Sequence, residues 1–363
     1  MKAAVCREFG KPLEIEELVL ADPQSGEIKV KLAACAICHS DIIFMDGGWG
    51  GSLPMVLGHE AAGIVEAVGN GISNIAVGDR VLVTLLRACG HCPDCEGGEP
   101  YICGTPFPID DDNRLTTNDG ERVVQGLKTG AFAEEVIVDQ SQAVVIPSSI
   151  PLDAASLLSC GVITGLGAVV NTAKVPYGSS VVVIGCGGVG LNAVQGAVLV
   201  SADPIIALDL VESKLKAAKD FGATHVVNPL SNDAVGKVRE WTDGRGAEYV
   251  FVAAGSPKAF EQGLDLLAPS GTLVIVGMPP TGQKIQVEAG NIAAGAQKIL
   301  GSKMGSTRLH ADIPKLVTLY EKGHLKLDEL ITGRYSLDDI NDAIDDVRAD
   351  KALRNVIIFD DSL

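Results

Sequence analysis

A glycine-rich turn between a buried strand and a helix constrains the fold of this chain more than any other feature. Residues 185–190 read Gly-Cys-Gly-Gly-Val-Gly and match the pattern G-x-G-x-x-G. The pattern directly follows the apolar run Val181–Ile184 and opens a predicted helix, Val189–Val200. In this strand–turn–helix context the backbone can bind the pyrophosphate of a dinucleotide. The stretch therefore predicts a dinucleotide-binding sheet, with a turn that serves packing alone as the alternative.

Each glycine of the pattern has its own predicted task. Gly185 permits the tight turn, Gly187 lets the backbone approach the pyrophosphate, and Gly190 allows close packing of helix on strand. Asp209 ends the next predicted strand and can accept hydrogen bonds from the ribose hydroxyls. Because a carboxylate repels a 2′-phosphate, this residue favours NAD over NADP. Lys214 follows closely enough to reach the same ribose.

Strand and helix patterns alternate after residue 180, which predicts an α/β fold with a doubly wound parallel sheet. The predicted strands after the glycine-rich turn are Ile205–Leu208, His225–Val227, Tyr249–Ala253 and Thr272–Val276. The predicted helices are Leu152–Ala173, Ser213–Phe221, Ile313–Lys322 and Asp338–Arg348, and a last strand is predicted at Asn355–Phe359.

The first 150 residues are instead predicted to be rich in β-strands. Runs rich in Val and Ile, such as Glu27–Leu32, Ala61–Ala67 and Arg80–Thr84, are bounded by glycine. Their spacing suits a small barrel or sandwich whose loops carry the function. Residues 105–130 are polar and rich in turn residues, which predicts a surface excursion before a strand at Phe132–Val138.

Four of the nine cysteines lie close together in residues 88–104, ACGHCPDCEGGEPYICG. Their spacing is C-x2-C-x2-C-x7-C, and they are Cys89, Cys92, Cys95 and Cys103. Four thiolates at this density suit one closed tetrahedral site, and Zn²⁺ is its usual occupant. The interleaved Gly, Pro, Asp and Glu residues predict loops rather than a helix or a strand.

Charge and the N-terminal sequence limit the partners and the location that we expect. The net charge of −17 argues against nucleic acid and anionic membranes as partners, since both require a basic face. The N-terminus has no signal-peptide pattern, and apolar runs such as Val181–Ile184 are too short to span a bilayer. These features predict a cytoplasmic protein, in which clustered cysteines are more often metal ligands than disulfides.

A second group of metal-binding residue types is scattered through the first half of the chain. Cys38 and His59 lie on different predicted loops, and such a pair more often has separate structural roles. Cys35 and Cys38 also form a C-x2-C pattern, which fits a redox pair or half of a zinc site equally well. The residues alone leave these alternatives open.

The chain resembles the zinc-dependent alcohol dehydrogenases of the medium-chain dehydrogenase/reductase family over essentially its whole length. The motifs that carry the resemblance are CHSD at 38–41, GHEAAGIVEAVG at 58–69, the four-cysteine stretch, SCGVITGLGA at 159–168 and GCGGVG at 185–190. The resemblance implies a GroES-like, β-rich catalytic domain formed by residues 1–160 and 301–363. It also implies a Rossmann NAD-binding domain at residues 161–300.

The resemblance further implies two zinc ions per subunit, with the four cysteines binding the structural one. Three residues would bind a catalytic zinc that keeps one position open: Cys38, His59 and Cys160. Cys35 falls where the family has no ligand and is expected to be a small buried residue. Glu60 resembles a carboxylate that can approach the metal. Asp41 resembles the carboxylate that orients the zinc-bound histidine, with a helix N-terminal charge as the alternative.

By the same resemblance, the zinc acts as a Lewis acid on an alcohol whose hydride passes to NAD. Ser40 resembles the hydroxyl that takes the alcohol proton. Many relatives complete this proton relay with a histidine, and its position here is Ile43, which cannot carry a proton. The relay is therefore expected to end in water, in the ribose hydroxyls or in another residue.

Further cofactor contacts follow from the resemblance. His39 and Arg354 occupy positions for basic residues at the pyrophosphate, with solvated surface charge as the alternative. The other expected contacts are the turn residue Gly188, the nicotinamide neighbours Thr164 and Val189, and the carboxamide-binding segment Val276, Gly277 and Met278.

The substrate pocket of the family is lined at positions matching Trp49, Leu85 and Met278. Leu85 stands where several relatives carry an aromatic ring, so a wider pocket for medium or bulky primary alcohols is expected. The excursion after Cys103 resembles the long-chain, class III-like branch, which includes S-(hydroxymethyl)glutathione dehydrogenases. That branch holds the glutathione carboxylate with an arginine where this chain has Phe107, so this substrate ranks second.

Two other classes within the family are weighed against this interpretation. One is a zinc-free, non-catalytic or quinone-oxidoreductase-like relative, and the complete Cys38, His59 and Cys160 set argues against it. The other is a polyol dehydrogenase, in which a glutamate commonly replaces the third ligand, and Cys160 argues against that. Family members pair their Rossmann sheets, so a homodimer, or a homotetramer built from dimers, is expected.

Overall fold

Two structural units share the residues that the computed structural model describes, which are 1–112, 114–230 and 233–360. One unit consists of Met1–Cys160 together with the chain from Arg308 onward, and the other is Gly161–Thr307.

The β-strands lie in both units. In chain order they are β1 (Lys2–Cys6), β2 (Glu14–Leu20), β3 (Glu27–Ala36), β4 (Met55–Val56), β5 (Glu60–Val68), β6 (Arg80–Val83), β7 (Leu115–Thr117), β8 (Val124–Gln125), β9 (Glu135–Asp139), β10 (Ala143–Val145), β11 (Val181–Ile184), β12 (Ile205–Leu208), β13 (His225–Val227), β14 (Ala247–Val252), β15 (Leu267–Ile275), β16 (Lys298–Gly301), β17 (Ile331–Tyr335) and β18 (Arg354–Ile358).

The α-helices alternate with these strands in the second half of the chain. They are α1 (His39–Met45), α2 (Pro93–Glu96), α3 (Pro108–Asp111), α4 (Leu152–Leu157), α5 (Ile163–Gly167), α6 (Gly188–Leu199), α7 (Glu212–Asp220), α8 (Ala234–Trp241), α9 (Pro257–Asp265), α10 (Ala289–Gly295), α11 (Leu309–Glu321) and α12 (Ile340–Arg348). Two π-helical segments, Leu158–Val162 and Ala168–Thr172, follow α4 and α5.

Two mostly antiparallel sheets form the centre of the first unit. One has the strand order β7-β2-β1-β4-β8, and the other has the order β10-β6-β5-β3-β18-β17 with β9 also paired to β3. Buried apolar side chains from both sheets form one core, in which Phe132, Leu32 and Ile28 are fully enclosed. The predicted β-rich domain is confirmed, and its sheets bring the loops before α1 and β5 to the same place.

The segment predicted as a surface excursion, residues 105–130, is exposed in part, but it also contributes two strands and the buried core residues Leu115 and Val123. Its strand β7 pairs with β2 and its strand β8 pairs with β4. The buried guanidinium of Arg114 forms two hydrogen bonds of 2.8 Å with the buried carboxylate of Glu27. The polar composition concealed these strands, because one of the charges, that of Arg114, is buried in this ion pair. Position 113 lies outside the described residues.

A six-stranded parallel sheet forms the centre of the second unit, with the order β13-β12-β11-β14-β15-β16. Relative to the first strand of this unit, that is the order 3-2-1-4-5-6 of a doubly wound sheet. Strand β11 is buried along its whole length and is made of β-branched residues, as expected for a central parallel strand. The predicted α/β sheet is confirmed.

The helical stretch Leu152–Thr172 corrects the expectation that apolar segments of this chain are too short to span a bilayer. By length and composition it could cross a membrane, with a mean hydropathy of 1.6 in its best window. However, 89% of that window is buried inside the protein. Its apolar character is therefore accounted for by packing in the protein interior.

Candidate metal centres and dinucleotide site

Four chemically suited side chains converge in the interior of the first unit. They are Cys38, His59, Glu60 and Cys160, and their ligand atoms all lie within 4.8 Å of one another. Cys38 precedes α1, His59 precedes β5, and Cys160 lies on the π-helical turn that follows α4. Two of the four come from neighbouring positions, so three separate parts of the chain build the cluster.

Local backbone requirements fix His59 in this place. Gly58 has a φ of +89°, and a Cβ there would lie 2.6 Å from the backbone nitrogen of Phe132. Only glycine satisfies both conditions without strain. The imidazole that follows is fully buried.

Asp41 organises the cluster from the third residue of α1. Its Oδ2 accepts a hydrogen bond from the Cys38 backbone N–H at 3.0 Å, which caps the helix. Its Oδ1 accepts from the Gly58 N–H at 3.0 Å and lies 3.0 Å from His59 Nδ1. The two interpretations of Asp41 are thus compatible, because one carboxylate caps the helix and orients the histidine.

The chemistry of the cluster fits a metal ion. Nδ1 of His59 is engaged by Asp41, while its buried Nε2 has no hydrogen-bond partner among the described residues. A buried polar atom without a partner is costly, and a metal ion is the partner that an imidazole beside two thiols would take. Two sulfurs and one nitrogen match the Cys₂His set that zinc sites with an open position use.

The ionisation of the cluster is strongly coupled. The hydrogen bond from Cys160 lowers the pKa of Cys38 well below its ordinary value, and the same interaction raises the pKa of the Cys160 thiol. Burial opposes the charged form of His59, but the Asp41 carboxylate outweighs it and raises the pKa of the imidazole. Because metal ligands bind deprotonated, loading this cluster releases protons.

Glu60 and Arg354 form a buried ion pair beside the sulfurs and the imidazole. Burial raises the pKa of Glu60 to about 7, although the Arg354 guanidinium opposes the shift. Arg354 begins β18 and is only 5% exposed, so the alternative of a solvated surface charge is wrong for this residue. His39, by contrast, is exposed at the start of α1.

Other predicted residues of the first unit lie around the cluster. The Cys38 thiol donates a hydrogen bond to Ser40 Oγ at 3.5 Å. Trp49 packs edge-on against Phe44 with ring centroids 6.0 Å apart. Leu85 follows β6 and is half-buried. Cys35 is buried in β3 outside both groups of candidate ligands, as expected.

The four cysteines of residues 88–104 form a second compact group. Their sulfurs all lie within 4.8 Å of one another, and they are Cys89, Cys92, Cys95 and Cys103. Sulfur atoms accept hydrogen bonds here, since the Cys95 N–H donates to Cys92 Sγ at 3.5 Å. The hydrogen bond from Thr105 lowers the pKa of the Cys89 thiol to about 6.

The prediction that this stretch has no helix is wrong. Pro93–Glu96 forms a short α-helix and Pro100–Ile102 a 3₁₀ turn. Cys92 caps the α-helix with its sulfur, and Pro93 stands at the first helical position, where it needs no N–H partner. The sequence signal of proline just after a capping residue was available.

The glycine-rich turn of the second unit has the geometry that its pattern predicts. Gly185 has a φ of +91°, and a Cβ on Gly190 would lie 1.7 Å from the Gly185 carbonyl oxygen. At Gly187 a Cβ would meet no atom within 4 Å, so this position faces open space. Gly188 and Val189 begin α6 directly afterwards.

The other predicted cofactor residues of this unit follow the carboxyl ends of its strands or pack beside the turn. Asp209 follows β12, and its Oδ2 accepts the Cys186 N–H at 2.7 Å, which ties it to the glycine-rich turn. Three residues follow β15: Val276 is buried, Gly277 half-buried and Met278 exposed. Lys214 lies on α7, and Thr164 on α5 is buried. In doubly wound sheets, this edge is where ligands bind.

Two family profiles match the two kinds of site. The profile described as "Alcohol dehydrogenase GroES-like domain" matches residues 24–148, and the one described as "Zinc-binding dehydrogenase" matches residues 188–322. "Alcohol dehydrogenase class-3" of Cereibacter sphaeroides is 34% identical over 99% of this chain and 99% of that protein. The chain belongs to the zinc-dependent alcohol dehydrogenases of the medium-chain dehydrogenase/reductase family.

Two further relatives of this alcohol dehydrogenase span nearly the whole chain. "Probable S-(hydroxymethyl)glutathione dehydrogenase 1" of Schizosaccharomyces pombe is 36% identical over 98% of this chain and 96% of that protein. The crystal structure of benzyl alcohol dehydrogenase from Acinetobacter calcoaceticus has a TM-score of 0.92 at 35% identity and covers 99% of both chains. The predicted family, fold and enzyme class are confirmed: the protein is a zinc-dependent, NAD-linked alcohol dehydrogenase.

Sequence reasoning missed several buried polar residues of this alcohol dehydrogenase. Arg87 and Gln142, both buried, form a hydrogen bond of 2.6 Å just before the four-cysteine group. The pairing of Arg354 with Glu60 was missed as well. For Arg87, the available signal was a charged residue two positions before Cys89. No local pattern links either residue to its partner, because the partners lie far apart in the chain.

Proposed function

We propose that the chain oxidises medium-size or bulky primary alcohols with NAD, using Cys38, His59 and Cys160 to hold a catalytic zinc. The supporting observation is the fully buried His59 ring, engaged at Nδ1 by Asp41 and turned toward two cysteine sulfurs. When bound, the zinc supplies Lewis-acid polarisation of the alcohol oxygen. We propose the closed group of four cysteines as the structural zinc site.

The remaining residues of the cluster would handle orientation and protons. Asp41 holds the histidine in the tautomer that presents Nε2. Ser40 takes the proton of the alcohol, and its hydroxyl lies 3.5 Å from Cys38 Sγ. Ile43 has no group that could pass this proton on, so we propose that the proton reaches water or the cofactor ribose from Ser40.

We propose that the second unit binds NAD along the carboxyl edge of its sheet. Open space at Gly187 leaves room for a pyrophosphate, and Asp209 supplies a carboxylate at the ribose position. Lys214, Thr164, Val189 and the segment from Val276 to Met278 would complete the contacts within this unit.

The identity of the alcohol is inferred from the pocket wall. Leu85 carries no ring, so we expect more space at this position than in relatives with an aromatic residue there, and Trp49 packs edge-on against Phe44. A wide apolar pocket supports aromatic and medium-chain alcohols. The structural similarity to a benzyl alcohol dehydrogenase supports the same substrate class.

S-(hydroxymethyl)glutathione is the second candidate, because a relative with that name is 36% identical to this chain. Phe107 occupies the position where a carboxylate-binding arginine is expected for that substrate. Its ring lies 5.6 Å from the Arg87 guanidinium carbon, and Arg87 is already paired with Asp110. This arrangement supports the alcohol over the glutathione adduct.

A substrate panel and a metal count test the proposal. We expect kcat/KM to be higher for benzyl alcohol and hexanol than for S-(hydroxymethyl)glutathione, and two zinc ions per chain by elemental analysis. A preference for the glutathione adduct would reverse the order of the two substrates. One zinc ion per chain, or none, would contradict the proposal that both sites bind zinc.

The assembly and the location are also proposals. Strand β16 lies at one end of the parallel sheet and exposes most of its residues, so it offers an edge for pairing with a second copy. We propose a cytoplasmic homodimer, or a homotetramer built from such dimers. Light scattering with size-exclusion chromatography measures the mass, and a monomer at micromolar concentration would contradict it.

A further inference from the structure

We propose that Arg87 is a positioning residue that couples the four-cysteine group to the substrate wall and to the cluster at Cys160. The inference rests on the proposed function, because that function gives Leu85 and Cys160 their roles. The coupling itself does not depend on that function, since it follows from the contacts of the buried Arg87 guanidinium.

On one side, Arg87 binds the segment that leaves the four-cysteine group. The Asp110 carboxylate forms an ion pair with Arg87 Nη1, and the Phe107 ring lies 5.6 Å from the guanidinium carbon. Both residues follow Cys103 closely, and Thr105, which lies between Cys103 and Phe107, donates a hydrogen bond to Cys89 Sγ at 3.2 Å. The position of this segment therefore depends on the four cysteines.

On the other side, Arg87 binds Gln142 and a backbone carbonyl. Arg87 Nε donates to Gln142 Oε1 at 2.6 Å, and Nη2 donates to the Lys128 carbonyl at 2.8 Å. Gln142 Nε2 in turn donates to the Thr84 carbonyl at 2.8 Å, and the Thr84 N–H donates to the Gln142 carbonyl at 3.0 Å. Leu85, the proposed substrate wall, comes directly after Thr84.

Thr84 carries the connection to the catalytic cluster. Its Oγ1 donates to the Ser159 carbonyl at 2.6 Å, one residue before Cys160. The Ser159 hydroxyl donates to the Ala61 carbonyl at 3.1 Å, next to Glu60. Thr84, Ser159 and Gln142 are all completely buried, so water cannot replace these bonds.

A buried guanidinium suits this task because the loss of its contacts with Asp110 would also alter its contacts with Gln142 and Lys128. Without Asp110 the charge of Arg87 would be buried and uncompensated, which costs far more than an exposed ion pair. The side chain would then move toward solvent, and its hydrogen bonds to Gln142 Oε1 and to the Lys128 carbonyl would be lost. Each oxygen would keep one weaker donor, the Asp139 N–H at 3.3 Å and Gln142 Nε2 at 3.1 Å, so Gln142 and Lys128 would be held less firmly. We infer that a disturbance of the four-cysteine group reaches Leu85 and Cys160 by this route.

The chain offers a matched control in Arg114. Arg87 is 4% exposed and Arg114 is 3% exposed, and both belong to the first unit. Arg114 also pairs with a carboxylate, Glu27, and donates to a carbonyl, that of Asp112. Neither partner adjoins a residue of the two candidate metal groups, so Arg114→Met removes a comparable ion pair elsewhere.

The experiment compares Arg87→Met with Arg114→Met in cobalt-substituted protein. The readout is the part of the visible spectrum that responds to added imidazole, because only a site with an open position can bind it. We expect Arg87→Met to shift these bands and to raise KM for benzyl alcohol about tenfold, a change of ~1.4 kcal/mol. Arg114→Met should lower the melting temperature similarly and leave both readouts at the wild-type value.

Thr84→Val keeps the test decisive if Arg87→Met does not fold. This variant removes only the bond to Ser159 and should shift the same bands. Arg87→Lys keeps the charge and should recover stability but not the wild-type bands, since one amine cannot reach Asp110, Gln142 and Lys128 together. Wild-type bands in both Arg87→Met and Thr84→Val, or in Thr84→Val when Arg87→Met does not fold, would overturn the coupling. The spectral result stands even if no alcohol is oxidised, which would refute the proposed function alone.

Discussion

At the scale of single residues, the candidate catalytic cluster depends on one carboxylate that serves three partners. Asp41 receives the Cys38 and Gly58 N–H groups and engages His59 Nδ1, each at 3.0 Å. Such outer contacts hold a ligand in one orientation before the metal arrives. Its removal should therefore affect metal binding more than the fold.

For Asp41→Asn we expect the affinity of the chain for its second zinc ion to fall by about 10- to 100-fold. The amide keeps the volume of the side chain but loses the charge that orients the imidazole. Zinc content after dialysis against a graded chelator measures the change. Asp153→Asn, which weakens an ion pair with Arg334 in the same unit, serves as the control and should keep both ions. Equal zinc retention in the two variants would limit Asp41 to capping its helix.

Ser40 carries the second prediction at this scale. We expect Ser40→Ala to lower kcat by about 100-fold, because removing a positioned proton acceptor costs that much or more. Ser40→Thr retains a hydroxyl and should keep most of the turnover. Steady-state rates under saturating alcohol and NAD make the comparison, with the zinc content measured alongside. Wild-type turnover in Ser40→Ala would remove this residue from the proton path.

The residues differ in how far the sequence could reveal them. Cys38, His59 and Cys160 were recognised because they stand in short motifs that the family shares. Arg354 was assigned only to a pyrophosphate, and its buried pairing with Glu60 was missed. Pairing between positions so far apart depends on the sheet that places β18 beside β3, and no local periodicity encodes it.

At the scale of elements, the turn between β11 and α6 contains one glycine that is needed for folding and another that is needed for binding. Gly190 is needed for packing, since a Cβ there would overlap the Gly185 carbonyl at 1.7 Å. Gly187 has open space around its Cβ position and an ordinary negative φ of −78°. Its task is therefore visible only when a ligand is present.

We expect Gly187→Ala to fold normally and to weaken NAD binding at least tenfold, because the added methyl occupies the space left for the pyrophosphate. Gly190→Ala should instead reduce the melting temperature or the yield of folded protein. Thermal unfolding with and without NAD distinguishes them, since a ligand raises stability only in a variant that binds it. Gly187→Ala with wild-type NAD affinity would place the pyrophosphate elsewhere.

Elements with regular patterns were predicted well from the sequence, and irregular ones were not. Strands β12 and β13 have the predicted bounds, because short runs rich in Ile and Val between turn residues are unambiguous. The two strands within residues 105–130 were missed, since β7 and β8 are short and form by pairing with β2 and β4. Short edge strands of two or three residues carry too little periodicity to be recognised.

At the scale of the whole molecule, the two metal groups would contribute differently. The four-cysteine group supplies no open position and includes partly exposed residues, so its ion would act on stability. The cluster at His59 is buried in the core of the first unit. Loss of one ion should therefore be distinguishable from loss of the other.

We expect Cys95→Ser to lose one zinc ion per chain and to lower the melting temperature by about 5 °C or more, which for a unit of this size reflects roughly 2 kcal/mol. Below the new transition temperature the protein remains folded, so activity should decline there only if the loss of zinc also disturbs the rest of the first unit, for example through Arg87. Cys6→Ala, which removes a buried cysteine outside both groups, should retain two ions. An unchanged melting temperature in Cys95→Ser would deny the group a structural role.

The strand β18 has a consequence for how the protein is made on the ribosome. It inserts between β3 and β17, and it supplies Arg354 to a carboxylate that emerged almost three hundred residues earlier. The four cysteines and the entire parallel sheet are translated before it. A nascent chain can therefore acquire one zinc ion and a folded second unit while Glu60 still lacks its counter-charge. The ion pair beside the candidate active site is therefore completed only after translation has passed β18.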